Sequence, residues 1–552
     1  MPVPPRAALG RDDQLDRLPA SVDVLIIGGG ITGVGVALDA ASRDATVALV
    51  ERDDLASGTS SRSSRLVHGG ARYLATGDVA MVAEGVRERD RLRRMAPHLV
   101  LPLPFVIPSD SVADLALLRA GMTIYDALAA GRGVATHRRL DAAEVLAAAP
   151  GLATGFRRGG VRYWDCRTDD ARLTLEVARA AAAEGAVLAT HTEVTELRRA
   201  GGRVVGAELR DRIDGSVRSI AARWTVSASG VWAGDVRRLE DPHDLDLEVL
   251  PARGVHLVFA RSELPVNSAI VLPSVSGDDR RLFAIPWGEQ VYVGTTDDLH
   301  DVDLDHPSVV PTDAAYVLAA TNAAFGTALT AEDAVGAWAG LRPLLAATGG
   351  AATADLSRRH TIVEGPDGLV TITGGKLTTF RRMAADVVDR LAAREGWPAR
   401  STTARTMLGS SGPVGEGRAH LRAAASRDPR TRAVPRVWLD GLHHRHGDRA
   451  AEVLAACADR GELEPLVSGL PYLRGEVRWA ARHELVGRLD DLLQRRLRVS
   501  TRHRAAGGAE PIGWAADVLA DELGWAPERR EQEVARYLDA VRHERGPVPL
   551  TT

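Results

Sequence analysis

Between Val22 and Glu51 the chain reads VDVLIIGGGITGVGVALDAASRDATVALVE, and no other stretch constrains the fold as much. Val22–Ile27 is an apolar run of strand length, and Val34–Ala41 carries the Ala-rich pattern of a buried helix. A second strand run, Thr46–Val50, ends at an acid, Glu51. Strand, glycine turn, helix and strand make one βαβ unit, so the chain opens on a parallel sheet. Gly28 permits the tight turn, Gly30 lets backbone approach a pyrophosphate, and Gly33 lets helix and strand pack closely. With Ile31 and Thr32 they begin a helix whose free N–H groups and dipole favour phosphate oxygens. Glu51 is placed to accept from ribose hydroxyls, which disfavours a phosphorylated ribose. A bare GxGxxG also occurs in plain glycine turns, but here strand, helix, second strand and terminal acid all coincide.

The rest of the chain changes character. Residues 250–300 read as antiparallel sheet: Val255–Phe259 alternates, and LFAIPW and QVYVG form a hairpin across a Gly-containing turn. Residues 368–393 return to strand, glycine turn and helix. Residues 399–418, rich in Ser, Thr and Gly, read as a linker, and the pattern beyond them is helical. The apolar run Leu99–Pro108 carries three prolines and reads as loop or edge strand. No apolar run reaches the roughly 18 residues of a spanning helix, and the start carries no apolar signal region. The expectation is a cytosolic protein or one lying on a membrane surface.

Charge narrows the classes further. A formal charge of −4 and a pI near 6.5 argue against nucleic-acid binding. Cys166, Cys457 and the HHRH cluster of His443, His444 and His446 match no metal-ligand spacing, so no metal site is expected. Of 69 cationic residues, Lys376 is the single lysine. A coding preference explains the arginines; the exception marks a position where charge alone does not suffice.

Two later segments read as further cofactor contacts. WTVSASGVWAGD runs a strand into Gly230, and TITGGKLTTF sets Gly374 and Gly375 before a helix. A helix N-terminus at the pyrimidine edge of a flavin stabilises the reduced ring, which favours FAD over NAD. SSRLVHGGARYL (63–74), FAIPWGEQVYVGTTD, WAGLRPLL, TGGKLTTFRRMA and the tail segment GEVRWAARHELVGRLDDLLQRR keep one order. With them the chain closely resembles the FAD-dependent glycerol-3-phosphate dehydrogenases of the aerobic, respiratory type, over about residues 20–545.

The resemblance implies an α/β protein: a Rossmann-like FAD-binding domain and an antiparallel-sheet substrate domain of the glutathione-reductase/D-amino-acid-oxidase kind, plus a C-terminal helical domain. Residues 20–95, 165–245 and 357–398 would form the first, 96–164 and 246–356 the second, 399–418 the linker and 419–545 the third. Non-covalent FAD would contact the glycine turn, Glu51, Arg52 and the run Thr59, Ser60, Ser61, Ser63, Ser64, Leu66, His68 and Gly69. It would also contact Val194, Ala228, Ser229, Gly230, Trp232, Gly375, Lys376, Leu377 and Thr378. Arg72, Tyr73, Arg342, Arg358 (with Arg359 adjacent) and Lys376 would hold sn-glycerol 3-phosphate, the first two in a glycine-flanked HGGARY and Arg342 in an apolar AGLRPL. Arg342, Lys376 and His256 would be catalytic; His256 stands on an alternating strand, where a histidine is structural or takes the alcohol proton. Hydride would pass from C2 to flavin N5, giving dihydroxyacetone phosphate, and electrons to a quinone. The expected setting is cytoplasmic, peripheral on the inner face of the cytoplasmic membrane, with a homodimer admitted and no nucleic acid. An oxidase using O2, an amine or amino-acid oxidase of the same superfamily, and a flavin-binding scaffold stay open.

One tail segment has two readings. Leu485, Leu489, Leu492, Leu493 and Leu497 follow helical spacing, with Arg488, Arg495, Arg496 and Arg498 alongside. That describes a bundle helix, the favoured reading, or a helix lying on anionic lipid.

Overall fold

The computed structural model describes residues 9–74, 77–129, 134–153, 158–243, 247–273, 281–299, 303–345 and 359–551. The strand Ser21–Ile27 sits inside an eight-stranded sheet, between Val47–Val50 and Val217–Ser227, and is parallel to both. Val187–Ala189 and Val370–Gly374 extend the parallel set on either side. Both faces of these strands are covered, so they read as continuous apolar runs. Val24 and Ile26 face a core shared with the helices Ile31–Ala41, Asp170–Ala183 and Phe380–Glu395. Leu25 and Ile27 face the opposite way, against Leu197, Val204 and Leu209 of the antiparallel hairpin Thr192–Ala200/Arg203–Asp211.

A second, ten-stranded sheet is antiparallel throughout except for one pairing. Its long strand Val249–Ala260 pairs with Gly336–Leu345 along ten registered positions and with Gln290–Gly294 on its other side. Val255, Leu257 and Phe259 point into one core, beneath the helix Pro311–Phe325. The alternate residues, His256 and Val258, share the other face with Trp338, Tyr292 and Ile285. The expected combination of a parallel cofactor sheet, an antiparallel second sheet and a helical tail is therefore observed.

Leu101–Pro108 is not a loop or an edge: it runs between Gly160–Arg167 and Ala269–Pro273. Pro102, Pro104 and Pro108 share one parity, so their missing N–H groups all fall on one side. The parallel neighbour pairs only at Phe105 and Val106, clear of all three prolines.

The Ser/Thr/Gly-rich stretch 399–418 is tied down: the Ser401 and Thr403 hydroxyls reach Asp39, and Leu408 is buried with its N–H on the Met95 carbonyl. The segment Leu485–Leu497 departs from the expected regular helix. Leu485 adopts φ 57°, and the chain winds only from Leu489 on, passing into a π-turn over Asp491–Arg496. The Asp491 carboxylate accepts from the Gly487 and Arg488 N–H groups, which starts the turn late. All five leucines are buried, and so are Arg495, Arg496 and Arg498. The lipid-surface reading fails here, because these arginines meet Asp54, Asp491, Asp169 and Asp170 rather than an outer face.

Candidate active site

A cleft of about 330 Å³ opens at the carboxyl ends of the parallel strands, where sheets of this kind bind ligands. Its glycines are dictated by space. A Cβ on Gly33 would lie 1.9 Å from the Gly28 carbonyl, and one on Gly28, at φ +113°, 2.7 Å from that of Ala228. The Ile31 N–H donates to Ser60 Oγ at 2.9 Å. Glu51 accepts from the Gly29 N–H at 2.7 Å and the Asp53 N–H at 2.8 Å, so it orders the glycine loop from the cleft wall. Burial pushes its carboxyl above the usual range. An acid at one end, a glycine cradle in the middle and the turn Gly374–Gly375 at the other fit an extended dinucleotide such as FAD.

Of the residues read as cofactor contacts, Gly28, Gly30, Ile31, Thr32, Glu51, Arg52, Thr59, Ser60 and Val194 line this cleft. So do Ala228, Ser229, Gly230, Trp232, Gly375, Lys376 and Leu377. Gly33 lies behind the loop. Ser61 offers its carbonyl to Arg498, Ser63 donates to Asp170, and Ser64 Oγ lies 2.9 Å from His256 Nε2. Leu66 is buried in a strand, the His68 N–H donates to Thr378 Oγ1, and the Gly69 N–H reaches Tyr125 and Asp165. The wall also includes Ser57, Gly58, Thr192, Asp235, Pro343 and Met383, which sequence reasoning did not single out. Ser57 and Gly58 stood next to the hydroxyl-rich run and were the legible pair.

Beyond Gly375 the site turns cationic. Arg72 donates to the Tyr73 hydroxyl at 3.0 Å, and Lys376 Nζ lies 3.8 Å from the Tyr73 ring centre and 2.8 Å from the Met81 sulfur. Arg342 comes from the second sheet. Asp297 and Thr295 hold its guanidinium, each at 3.0 Å, over Gly254, where a Cβ would lie 2.4 Å from Nη2. Burial and the nearby Arg72 push Lys376 down to about 8. Burial lowers Arg342, against the pull of Asp297. His68 is pushed down to about 3 by burial and by Lys376, so it stands neutral. Arg358 lies outside the described residues; Arg359 is exposed and pairs with Asp78 at 3.1 Å.

His256 is buried on the same sheet face. Its ring stacks on Trp338 at 4.5 Å and 13°, and Nδ1 has no hydrogen-bond partner among the described residues. Gly294, its cross-strand partner, makes the room: a Cβ there would lie 2.4 Å from the imidazole. Burial, then Arg342 and Arg65, push His256 well below the usual histidine range. Cys166 and Cys457 are buried thiols, and no group of His, Cys, Asp and Glu among the described residues is arranged to hold a metal ion.

Residues 23–381 match the family described as FAD dependent oxidoreductase, and residues 400–530 match the C-terminal domain of alpha-glycerophosphate oxidase. Glycerol-3-phosphate dehydrogenase 2 of Mycobacterium tuberculosis is 40% identical over 533 residues, covering 95% of this chain and 88% of that protein. The structure of the glycerol-3-phosphate dehydrogenase from Bacillus halodurans complexed with FAD is 30% identical and aligns with a TM-score of 0.80 over 98% of each chain. Glycine oxidase from Geobacillus kaustophilus, at 21% identity and a TM-score of 0.51 over 71% of this chain and 99% of its own, shares the fold alone. A glycine cradle shaped for a dinucleotide, a cationic pocket beside it and these full-length similarities lead to one conclusion: the chain belongs to the FAD-dependent oxidoreductases and, among them, to the glycerol-3-phosphate dehydrogenase family.

Proposed function

We propose that the chain oxidises sn-glycerol 3-phosphate to dihydroxyacetone phosphate and delivers the electrons to a quinone. The carrying observation is the convergence of Arg72, Tyr73, Arg342 and Lys376 next to the Gly374–Gly375 turn. Three cations around one phenol suit a phosphate dianion; a scaffold needs no such clamp, and a carboxylate substrate needs fewer charges. Bound FAD supplies the acceptor, at N5, for the hydride leaving C2. Arg72, Arg342 and Lys376 hold the phosphate and so fix C2, which accounts for much of the rate through positioning. His256 takes the hydroxyl proton, its ring oriented by Ser64 and Trp338. Burial is the first cause of the low imidazole and Arg342 the next; the dianion held by Arg342 offsets that second cause, so the proton affinity of the imidazole rises when substrate is bound. Anaerobic addition of sn-glycerol 3-phosphate should bleach the flavin, whereas glycerol or glycine should not. FAD-loaded protein that stays oxidised with sn-glycerol 3-phosphate overturns the reading. Reoxidation by a quinone analogue should outpace reoxidation by O2, and stoichiometric peroxide would assign an oxidase instead.

A quinone dissolved in a bilayer requires the enzyme to meet that surface. Among the described residues no helix is long and apolar enough to cross a membrane. The helix Val112–Ala129 does turn apolar side chains outward: Val112 is 82% exposed, Leu117 74% and Ile124 49%, while Leu115, Met122 and Tyr125 face inward. A helix apolar on both sides suits a lipid surface better than water. Replacing Leu117 and Ile124 together with glutamate should weaken sedimentation with phospholipid vesicles at least about fivefold. Flavin reduction in solution should be unchanged.

A further inference from the structure

Arg65 stands inside the second sheet's aromatic face. It is 2% exposed, yet neither Nε nor Nη1 finds an acceptor among the described residues. Buried cations are normally paired with a carboxylate. The nearby carboxylates of Asp169 and Asp170 are taken by Arg498. The guanidinium instead lies 3.9 Å from the ring centre of Trp287 and 4.2 Å from that of Trp338, with Tyr292 at 5.8 Å. Its backbone adopts φ +54°, a left-handed conformation that costs a non-glycine residue and persists only where the surroundings enforce it. The indole of Trp338 is also the one on which His256 stacks.

We propose that Arg65 is a positioning residue for His256, acting through the indole they share. A planar cation against two indole faces gains cation–π attraction in a desolvated site and locks both rings. Trp338 cannot tilt without breaking that contact, so the imidazole keeps its plane and Nε2 stays on Ser64. The guanidinium charge also disfavours a second positive charge on the imidazole before substrate arrives. The groups facing His256 are Arg65 and Ser64 from the loop, Arg342 and Trp338 from one neighbouring strand, and Tyr292 from the other. Of these, only Arg65 touches Trp338 while carrying charge. An ammonium supplies the charge but not the plane, so lysine is not an equivalent here.

The proposal rests on His256 serving the oxidation, and its test separates the two. Histidine-labelled holoprotein is titrated by NMR, with the His256 resonance assigned by its loss in His256→Asn. In Arg65→Met the His256 midpoint should rise by at least about half a pH unit, since a like charge has gone. The acid limb of kcat/KM with sn-glycerol 3-phosphate should move up with it. Arg65→Lys should hold the midpoint and lower kcat at least about fivefold, through the loosened indole. If unsubstituted protein is not reduced by sn-glycerol 3-phosphate, the functional reading fails while the NMR midpoint still decides the placement of Arg65. An unchanged midpoint with kcat within twofold in Arg65→Met overturns the proposal. Should that variant fail to fold, wild-type kcat at every pH in Arg65→Lys overturns it instead.

Discussion

Lys376→Arg should keep FAD bound and lower turnover with sn-glycerol 3-phosphate about a hundredfold, a loss of about 3 kcal/mol in transition-state stabilisation. The lysine follows two glycines at φ +81° and +78°, and a Cβ on Gly374 would lie 2.7 Å from the Arg359 carbonyl, so backbone packs against backbone at the turn that presents it. Its Nζ is enclosed by Met81 and the Tyr73 ring. A guanidinium is longer and broader than that space, and it must displace Tyr73 or Met81 to fit. The charge survives, so phosphate still binds, but C2 is moved; a small misplacement of reacting atoms is costly. The pH profile gives an independent check. With Lys376 at about 8, kcat/KM of the unsubstituted protein should fall as pH rises through about 8, because a cation facing the dianion is lost. The arginine stays protonated, so in the variant that limb should vanish. FAD absorbance, a stopped-flow reduction rate and a kcat/KM profile check all three outcomes. Unchanged turnover would show that any cation serves at this position.

How much of this was legible in the sequence depends on what dictated each residue. Gly28 and Gly33 were readable because backbone packed against backbone leaves no room for a Cβ, and that constraint leaves a spaced glycine signature. Lys376 was readable because it is the exception in an arginine-rich chain. Arg65 was not. It is one arginine among many, and its meaning comes from Trp287 and Trp338, which reach it only through the pairing of distant strands. The leucines of 485–497 follow helical spacing, but periodicity reports burial on one side and not the local winding, which the Asp491 carboxylate resets. Val112–Ala129 drew no reading: it is apolar on both sides, and sequence pattern alone cannot say which side another element covers. The inner placement of Leu101–Pro108 was hidden because proline number was weighed without proline parity.

Asp54→Ala should destabilise the fold by about 3–5 kcal/mol, the cost of leaving buried charges without their partner. Asp54 is fully buried three residues after Glu51, on the loop that leaves the second parallel strand. Its two oxygens take Arg496 as a fork, both contacts at 2.7 Å, and Oδ2 also accepts from Arg495 Nε at 2.5 Å. Both arginines belong to the helical tail, so one carboxylate joins the tail to the loop that carries Glu51. Arg495 continues to Asp491, which holds His191 at the end of another parallel strand. Alanine would leave the buried Arg496 guanidinium without a carboxylate and Arg495 with Asp491 and Asp490 alone, in an interface that water reaches only by opening it. The tail should then loosen from the first sheet before the sheet itself melts, and FAD should dissociate more readily because the Glu51–Asp53 turn loses its brace. Asp54→Asn, which keeps one acceptor oxygen and the volume, should cost less than alanine. Thermal unfolding with and without added FAD, read by tryptophan and by flavin fluorescence, separates the two events. A loss under about 1 kcal/mol in Asp54→Ala, with FAD retained, would show that the tail is held by its apolar contacts and that the buried charge cluster is incidental.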